Sequence, residues 1–415
     1  MDDLKNNPLL QPAYITKLLD EIIPDTNEYF LSTVIPMVTQ ETDKVIVDVR
    51  DNIGGMTQAV ARHAESPLVE FRGQSQFEFS PAFFREKVVL SERDLKIIRK
   101  IGTAADFARA RDRIAEVAGG LRMRLETRIE WCRWQMIFGS LTIAQTDVQF
   151  AVNYGIPLEM RPTLSGVDLW SAIGTADPVD DMIEWNYLYR DFGYDPEYSV
   201  LTRYLQKLLL QNTKIRELAE AHFTSTGNAM MNTARLNEIL TTFAGIPYKL
   251  YDKGYYLKVK LETPITPVST NFVVSENPGI AAGETVTIVH LNGSRFATAK
   301  VAVTPTGLSF AHAAIGGSIT FPAGSTVQIK KRFLPDNKFI IMGRVPQGTT
   351  GGTNIGEFVS VPSAYNGNLE NPVPGPFGKT VFKNDDDPPK IEVISGIYGL
   401  PVHYHPACNV VATVA

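Results

Sequence analysis

The residues best suited to chemistry lie near the end of the sequence. His403, His405 and Cys408 stand close together, and imidazole nitrogen and thiolate sulfur are good zinc ligands. In a strand the two histidines would point to the same face. No fourth ligand stands nearby, however, and Pro406 interrupts the strand. The pattern therefore favours two partly exposed strand histidines beside a buried cysteine.

Other candidate sites are weaker. Asp385, Asp386 and Asp387 could bind a hard cation, but two prolines follow them, and such a segment more often forms a solvated turn. The sequence has no G-x-S-x-G elbow, its six histidines are scattered, and no Walker or dinucleotide glycine pattern is present. We therefore predict no catalytic residue, no cofactor and no metal, and we do not expect an enzyme.

The composition is that of an ordinary globular protein. Of its 415 residues, 44% are hydrophobic and 20% are charged, and this length predicts roughly two to four domains. The net charge of -5 argues against a dedicated nucleic-acid binder, because such proteins usually carry a basic surplus. Only two cysteines occur, which fits a protein made in a reducing cytoplasm.

Neither a membrane span nor export is expected from the sequence. No apolar run approaches the roughly 18 residues that a spanning helix needs. The first residues, MDDLKNNPLLQP, are acidic and polar, whereas a secretory signal needs a basic start and an apolar stretch.

The first ninety residues are predicted to need partners. PAYITKLLDEIIP favours a short amphipathic helix that ends at Pro24, and an extended segment with alternating valines follows it. From Asp51 to about Leu90, glycines and alternating apolar residues predict a long β-ribbon that projects from the body. The alternative is a β-meander packed on the main domain. Neither segment has enough apolar residues for a core of its own.

One long helix is the strongest local pattern. Thr103 and Asp106 provide an N-cap and an acidic first turn. The apolar residues that follow recur at spacings of three and four, from Phe107 to Met136. Such a helix would be about 50 Å long. Interleaved acidic and basic residues favour a solvated, ion-paired face over a nucleic-acid surface, and Gly119-Gly120 predicts a bend.

The middle of the chain predicts an α/β block. Four helices are expected at 177–193, 198–211, 213–223 and 233–245, and a strand at 246–262. A small β-domain is then predicted at 263–331, where Asn292-Gly293 indicates a hairpin. With this insertion removed, YLKVK and FLPDNKFIIMGRV would form one strand pair. The tail predicts two strands around a Gly399-Leu400-Pro401 turn, with the apolar last strand paired into a sheet.

The order of these segments resembles that of the major capsid proteins of tailed bacteriophages with the Hong Kong 97 type fold. The resemblance is to the group that includes the phage lambda capsid protein E, and it extends over nearly the whole chain. Local phrases support it: TDKVIVDV, PEYSVLTRYLQKLLLQNTKIRELAE, DDDPPKIEVISGIYGLP and, most specifically, FLPDNKFIIMG at 333–343. The inserted β-domain departs from the lambda-like pattern.

The resemblance implies an α+β fold with peripheral and axial domains. Its parts would be an N-terminal arm (1–43), an extended loop with its base strands (44–90), a peripheral domain with a spine helix (91–175), the first part of an axial domain (176–262), the inserted β-domain (263–331), the axial remainder (332–380) and peripheral C-terminal strands (381–415). The candidate inter-subunit contacts in the loop and the helix are Arg62, Glu65, Glu70, Phe71, Arg72, Arg109, Arg113 and Glu116.

The function that the resemblance implies is assembly. Copies made in the host cytoplasm would form the pentamers and hexamers of an icosahedral head shell. The shell would enclose double-stranded DNA without reading its sequence. A portal protein and a separate scaffold would be partners, and a decoration protein is a further candidate. The alternatives are the shell of an encapsulin compartment, which shares the fold, and a hydrolase that uses the C-terminal histidines.

Overall fold

The structure is a computed structural model of the 415-residue chain. It describes residues 29–42, 44–49, 75–79, 81–90, 104–145, 148–222, 231–276, 279–293, 295–302, 307–312, 320–345, 354–366, 370–383 and 390–415. The predicted first helix, most of the predicted ribbon and Asp385 to Asp387 lie outside these residues.

The described residues contain six α-helices and twenty-one β-strands. The helices are α1 (Leu31–Val34), α2 (Ala104–Ile137), α3 (Pro178–Asp191), α4 (Arg203–Gln211), α5 (Thr213–His222) and α6 (Thr233–Ile239). The strands as far as the middle of the chain are β1 (Met37–Thr39), β2 (Val45–Val49), β3 (Ser75–Phe79), β4 (Ala82–Leu90), β5 (Ser140–Gln145), β6 (Val148–Asn153), β7 (Asp195–Leu201), β8 (Tyr248–Leu250), β9 (Gly254–Lys260), β10 (Asn271–Val273) and β11 (Thr285–Val289). The remaining strands are β12 (Phe296–Lys300), β13 (Ser309–Ala311), β14 (Thr326–Arg332), β15 (Lys338–Arg344), β16 (Gly356–Ser360), β17 (Pro362–Ser363), β18 (Val373–Pro374), β19 (Phe377–Lys383), β20 (Lys390–His403) and β21 (Asn409–Thr413). This mixture confirms the predicted α+β class.

The described residues divide into two compact units. The first, the main unit, comprises Met1–Tyr251 and Pro335–Ala415; the second, the β-unit, comprises Asp252–Leu334. The β-unit begins earlier than the predicted 263–331, because β9 pairs with β14 along seven residues.

The first sheet of the main unit is built around β20. This 14-residue strand pairs with β4 on one edge, and with β16 and β19 on the other. The predicted turn at Gly399-Leu400-Pro401 is wrong, because the strand continues through it. Pro401 lies beyond the end of β4, and its carbonyl accepts a hydrogen bond from the Tyr154 hydroxyl at 2.9 Å. The carbonyl and the ring nitrogen of one strand residue face the same edge, so the ring nitrogen of Pro401 faces away from β16. No backbone N–H is needed at that edge to pair with a neighbouring strand.

Strand β4 also changes the prediction for the ribbon. Ala82 to Leu90 pair with β20 along nine residues, so this part of the chain is packed on the body as in the meander alternative. Strands β2 and β3 form a separate two-stranded pair. The segment between them lies outside the described residues.

Helix α2 confirms the predicted long helix almost to the residue. It has 34 residues and is unbroken at Gly119-Gly120. Its apolar stripe is buried at Ile114, Leu121, Leu125, Ile129, Cys132 and Met136. The predicted solvated charged face is wrong for the last three turns, where Glu126, Glu130 and Arg133 are buried.

The second sheet of the main unit has the order β21-β15-β7-β8. Its central strand β15 belongs to the phrase FLPDNKFIIMG, and it buries Phe339 to Met342 completely. Gly343 has to be glycine, because a Cβ there would overlap the Tyr189 ring. The last strand, β21, pairs with β15, so the predicted pairing of the apolar last strand into a sheet is confirmed.

Two predicted elements of the α/β block are wrong. The predicted helix 198–211 is strand β7 followed by α4, since Tyr198 to Val200 pair with β15, and Thr202 caps α4 by accepting a hydrogen bond from the Leu205 N–H. The predicted pairing of YLKVK with FLPDNKFIIMGRV is also wrong, because β9 pairs with β14, and β15 with β7 and β21. The other three predicted helices are present as α3, α5 and α6.

The β-unit has an apolar core of its own. Its four-stranded sheet has the order β12-β11-β14-β9, and a two-stranded pair joins β10 to β13. Phe272 and Phe310 stack in the core at 5.1 Å between ring centroids. The predicted hairpin at Asn292-Gly293 is confirmed, with β11 and β12 antiparallel and Gly293 at φ 69°.

Candidate inter-subunit surface

The middle of α2 and strand β4 line an open groove of about 480 Å³. The residues that line it are Glu86, Lys87, Val88, Arg113, Glu116, Val117, Gly120, Leu121 and Arg124. Charged side chains at the rim and apolar side chains at the floor give it the character of a protein contact surface.

Ion pairs hold the walls of the groove. Arg124 donates to Glu86 through two nitrogens, one bond being 2.8 Å from Nη2 to Oε1, and this bidentate pair joins α2 to β4. Arg113 lies 2.7 Å from Glu116 one turn along the helix. Both members of that pair are well exposed, with 48% and 70% of their side chains accessible.

The predicted contact residues divide into three groups. Arg113 and Glu116 lie together on the groove. Arg109 lies on α2, but its side chain is not described. The loop residues Arg62, Glu65, Glu70, Phe71 and Arg72 fall outside the described residues.

The far end of α2 carries a buried carboxylate that the sequence did not single out. Glu130 Oε1 accepts hydrogen bonds from the Leu31 N–H at 3.2 Å, from Trp134 Nε1 at 3.0 Å and from the Tyr251 hydroxyl at 3.3 Å. Arg133 lies 3.6 Å from its other oxygen. Burial raises the pKa of Glu130, and the positive charge of Arg133 opposes that rise. One carboxylate thus joins α1, α2 and the segment after β8.

An aromatic cluster completes this junction. Phe30 lies against Trp134, Tyr198 and Tyr251, with ring centroids 5.7 to 6.4 Å apart. Lys249 lies over the Tyr198 ring at 3.5 Å from Nζ to the centroid. Residues 29–36 are therefore anchored to the end of α2. In the sequence the signal for this site is Glu130 four positions before Trp134. That spacing is common on helices, so it does not predict a buried carboxylate.

The three residues first considered for metal binding are buried and separately bonded. His403 Nε2 lies 2.7 Å from the Asn409 side-chain nitrogen, and His405 Nδ1 lies 3.3 Å from the Tyr194 hydroxyl. The Tyr189 hydroxyl donates to the Cys408 carbonyl. Burial, followed by the repulsion from His405, lowers the pKa of His403 to about 3. The expectation of partly exposed histidines was wrong.

No cluster of three metal-ligating side chains occurs in the described part of the chain. None of the helices within the described residues is long and apolar enough to cross a membrane.

Comparison with known proteins gives one sequence-level match. The model of the family described as phage major capsid protein E matches residues 15–282, which is more than half of the chain. No curated protein sequence matches the chain.

Three solved structures with similar chains show the range of proteins found. One is a phage-related protein from Bordetella bronchiseptica, with 10% identity, a TM-score of 0.43 and 98% and 97% of the two chains covered. A prophage capsid protein from Escherichia coli has 12% identity, a TM-score of 0.47 and coverage of 96% and 97%. An encapsulin from Synechococcus elongatus has 10% identity, a TM-score of 0.38 and coverage of 95% and 89%.

The protein is therefore a viral structural protein, a coat subunit of a phage head. The chain belongs to the phage major capsid protein E family, since that family's model matches residues 15–282. This confirms the resemblance stated from segment order and phrases, and it favours the coat function over the encapsulin alternative.

Proposed function

We propose that copies of this chain form pentamers and hexamers that close into an icosahedral shell of the Hong Kong 97 type around double-stranded DNA. Family membership carries the proposal. Closed symmetry repeats each contact many times, so no single contact has to be strong. The subunit acts by assembly and not by catalysis. It is made in the host cytoplasm, with a portal protein and a separate scaffold as partners.

The groove between α2 and β4 is the surface that we assign to inter-subunit contact. Arg113 and Glu116 are exposed there, and the groove floor offers Val117 and Leu121. We place the loop residues between Arg62 and Arg72 at the same kind of contact, on the family resemblance. The β-unit is the insertion that distinguishes this chain within the lambda-like group, and a decoration protein is a candidate partner for the shell.

Electron microscopy of the purified chain, alone and with its scaffold, tests the proposal. Closed shells of uniform size are expected. A compact monomer that forms neither rings nor shells under any assembly condition would contradict it.

A second experiment tests the extended loop. Deletion of residues 54–73 should leave a folded subunit that assembles poorly, because the loop would no longer reach its neighbour. A shorter deletion in the main unit, removing 347–352 between β15 and β16, serves as control and should leave assembly intact, because no contact with a neighbour is assigned to that segment. Normal shells from the first deletion would refute the role given to the loop.

A further inference from the structure

The β-unit carries a charge opposite to that of the rest of the chain. Between Asp252 and Leu334 the sequence has eight basic and four acidic residues, a net charge of +4. The whole chain is at -5, so the remainder is at -9. Two such regions attract each other when they belong to different copies brought together.

The positive charge is concentrated on one open face of the four-stranded sheet. Val286, Ile288 and Ile329 point into the core, so alternate residues on these strands point outward. That outer face, which we name the lysine face, carries Lys258, Lys260, Lys300 and Lys330, all exposed. None of these lysines forms an ion pair with a residue in the described part of the chain.

The centre of the lysine face is suited to a protein contact. Across the middle of the sheet, Thr298, Thr287, Gln328 and Lys258 lie opposite one another in register. Two large apolar side chains stand at its margins, Phe296 with 71% and Tyr256 with 61% exposed. Exposed aromatic side chains are enriched at protein-binding surfaces.

Helix α3 of the main unit offers a surface of opposite charge. Asp180, Glu184, Tyr187 and Asp191 are all exposed and recur at helical spacing, so they form one stripe along the solvent side, which we name the acidic stripe. Tyr187 is 66% exposed at its middle. The three carboxylates form no ion pair within the described residues.

The negative field around α3 acts on a neighbouring carboxyl group. Asp181, half-buried beside Trp170, has its pKa raised to about 6, first by burial and then by the charges of Glu184, Asp177 and Asp168. Acidic groups in this cluster therefore repel one another in the isolated subunit, and a basic partner would relieve that repulsion.

The two surfaces also match in size. The acidic stripe extends ~16 Å from Asp180 to Asp191 at 1.5 Å per residue. The lysine face measures ~13 Å along β9 and ~14 Å across four strands. A helix of about 10 Å diameter can therefore lie across the sheet with both ends of the stripe near lysines.

We propose that the lysine face of the β-unit binds the acidic stripe on α3 of a second copy of this chain in the shell. The inference rests on the proposed shell function, since only assembly brings many copies together. Contact of one patch with a different patch is a heterologous interface, the kind that joins neighbouring subunits in a ring. The β-unit would act as a clamp between neighbouring subunits.

Charge reversal in the full-length chain tests the pairing. Lys258→Glu with Lys330→Glu, and separately Asp180→Lys with Glu184→Lys, should each raise the concentration of unassembled subunit about tenfold, the effect of one close charge pair. Combining the four substitutions should restore assembly towards that of the wild type. Lys207→Glu with Lys214→Glu makes an equal change of charge on exposed positions of α4 and α5, outside both surfaces, and should alter assembly less than about twofold.

The outcomes separate this inference from the proposed function. If the unmodified chain forms no shells, the proposed function fails. If all variants form shells as well as the control does, or if the combined variant is worse than either pair alone, the inference fails and the shell function stands.

Disulfide trapping distinguishes contact between copies from contact within one chain. Gln328→Cys and Tyr187→Cys are placed in separate chains, one of them tagged, and the two chains are assembled together and oxidised. Both native cysteines are buried, and burial raises the pKa of Cys132 and of Cys408 to about 12, so the new thiols react selectively. A mixed covalent dimer is expected. Its absence from intact mixed shells would overturn the proposal.

Discussion

The cores of the two units differ in how they use polar groups. The β-unit buries apolar side chains, with His312 and Ser325 as the only buried polar residues among those described there. The main unit buries several ionisable groups, including Glu130, Arg133, His403 and His405, whereas His312 is the one buried ionisable residue among those described in the β-unit. The stability of a mainly apolar core depends chiefly on packing, whereas the stability contributed by buried ionisable groups depends on their partners and on the proton concentration. We therefore expect core substitutions to destabilise the β-unit most, and loss of a buried partner or a lower pH to destabilise the main unit most.

The largest effect is expected from a cavity in the β-unit. Phe272→Ala removes a fully buried ring stacked on Phe310, and it should lower the free energy of unfolding of the β-unit by about 3–5 kcal/mol. Chemical denaturation of the unassembled subunit measures this. Phe296→Ala, the same substitution at a side chain that is 71% exposed, is the control and should cost less than about 0.5 kcal/mol. Equal losses would show that the core assignment is wrong.

The next effect concerns the buried carboxylate of the main unit. Glu130→Gln keeps the shape of the side chain but removes the charge that faces Arg133 and weakens the bonds from Leu31 and Trp134. We expect a loss of about 2–3 kcal/mol in denaturant melts, because a charged hydrogen-bonded group is lost and Arg133 stays buried. Glu116→Gln makes the same change at an exposed position of the same helix and should be nearly neutral. If Glu130→Gln left the free energy of unfolding unchanged, Glu130 would not anchor residues 29–36.

Lowering the pH should reduce the free energy of unfolding of the main unit, because His403 is protonated more readily in the unfolded chain. Its pKa is about 3 in the folded state, below the ordinary value of 6.5, so the unfolded chain binds the proton more readily. This contribution to stability is complete above pH 6.5 and is lost as the pH falls towards 3. The slope approaches about 1.4 kcal/mol per pH unit in that window. His403→Asn should flatten the pH profile of the main unit's unfolding, while His290→Asn in the β-unit should not. An unchanged slope in His403→Asn would refute the assignment.

The smallest effect on stability is expected at the groove. Arg113 and Glu116 form an exposed pair, so the double substitution to alanine should change the free energy of unfolding by less than about 0.5 kcal/mol. Assembly should nevertheless suffer, because the pair lies on the surface assigned to a neighbour. Sedimentation of assembly mixtures, beside denaturant melts of the subunit, separates the two quantities. A stable variant that assembles normally would remove this pair from the contact.

The sequence alone determined the elements whose signals are local. Helix α2 was predicted because a cap and an apolar stripe at helical spacing lie within one segment. The β11–β12 hairpin was predicted for the same reason, since Asn292-Gly293 specifies the turn directly. The order of the segments also indicated the family, and the family model confirms it over residues 15–282, which include the phrase PEYSVLTRYLQKLLLQNTKIRELAE.

Tertiary structure decided what depends on distant partners. Residues 198–201, the second half of β7, were predicted to be helical together with the residues that follow, and their pairing with β15 makes them extended. Pro401 predicted a turn from the sequence. In the structure it lies beyond the end of β4, and its carbonyl accepts a hydrogen bond from the Tyr154 hydroxyl, so the proline is compatible with the strand. In the sequence Glu130 does not differ from the other acidic residues on α2. Only the packing of residues 29–36 and Tyr251 against it shows that it is buried. Burial is set by residues a hundred or more positions away, and for that reason local sequence cannot state it.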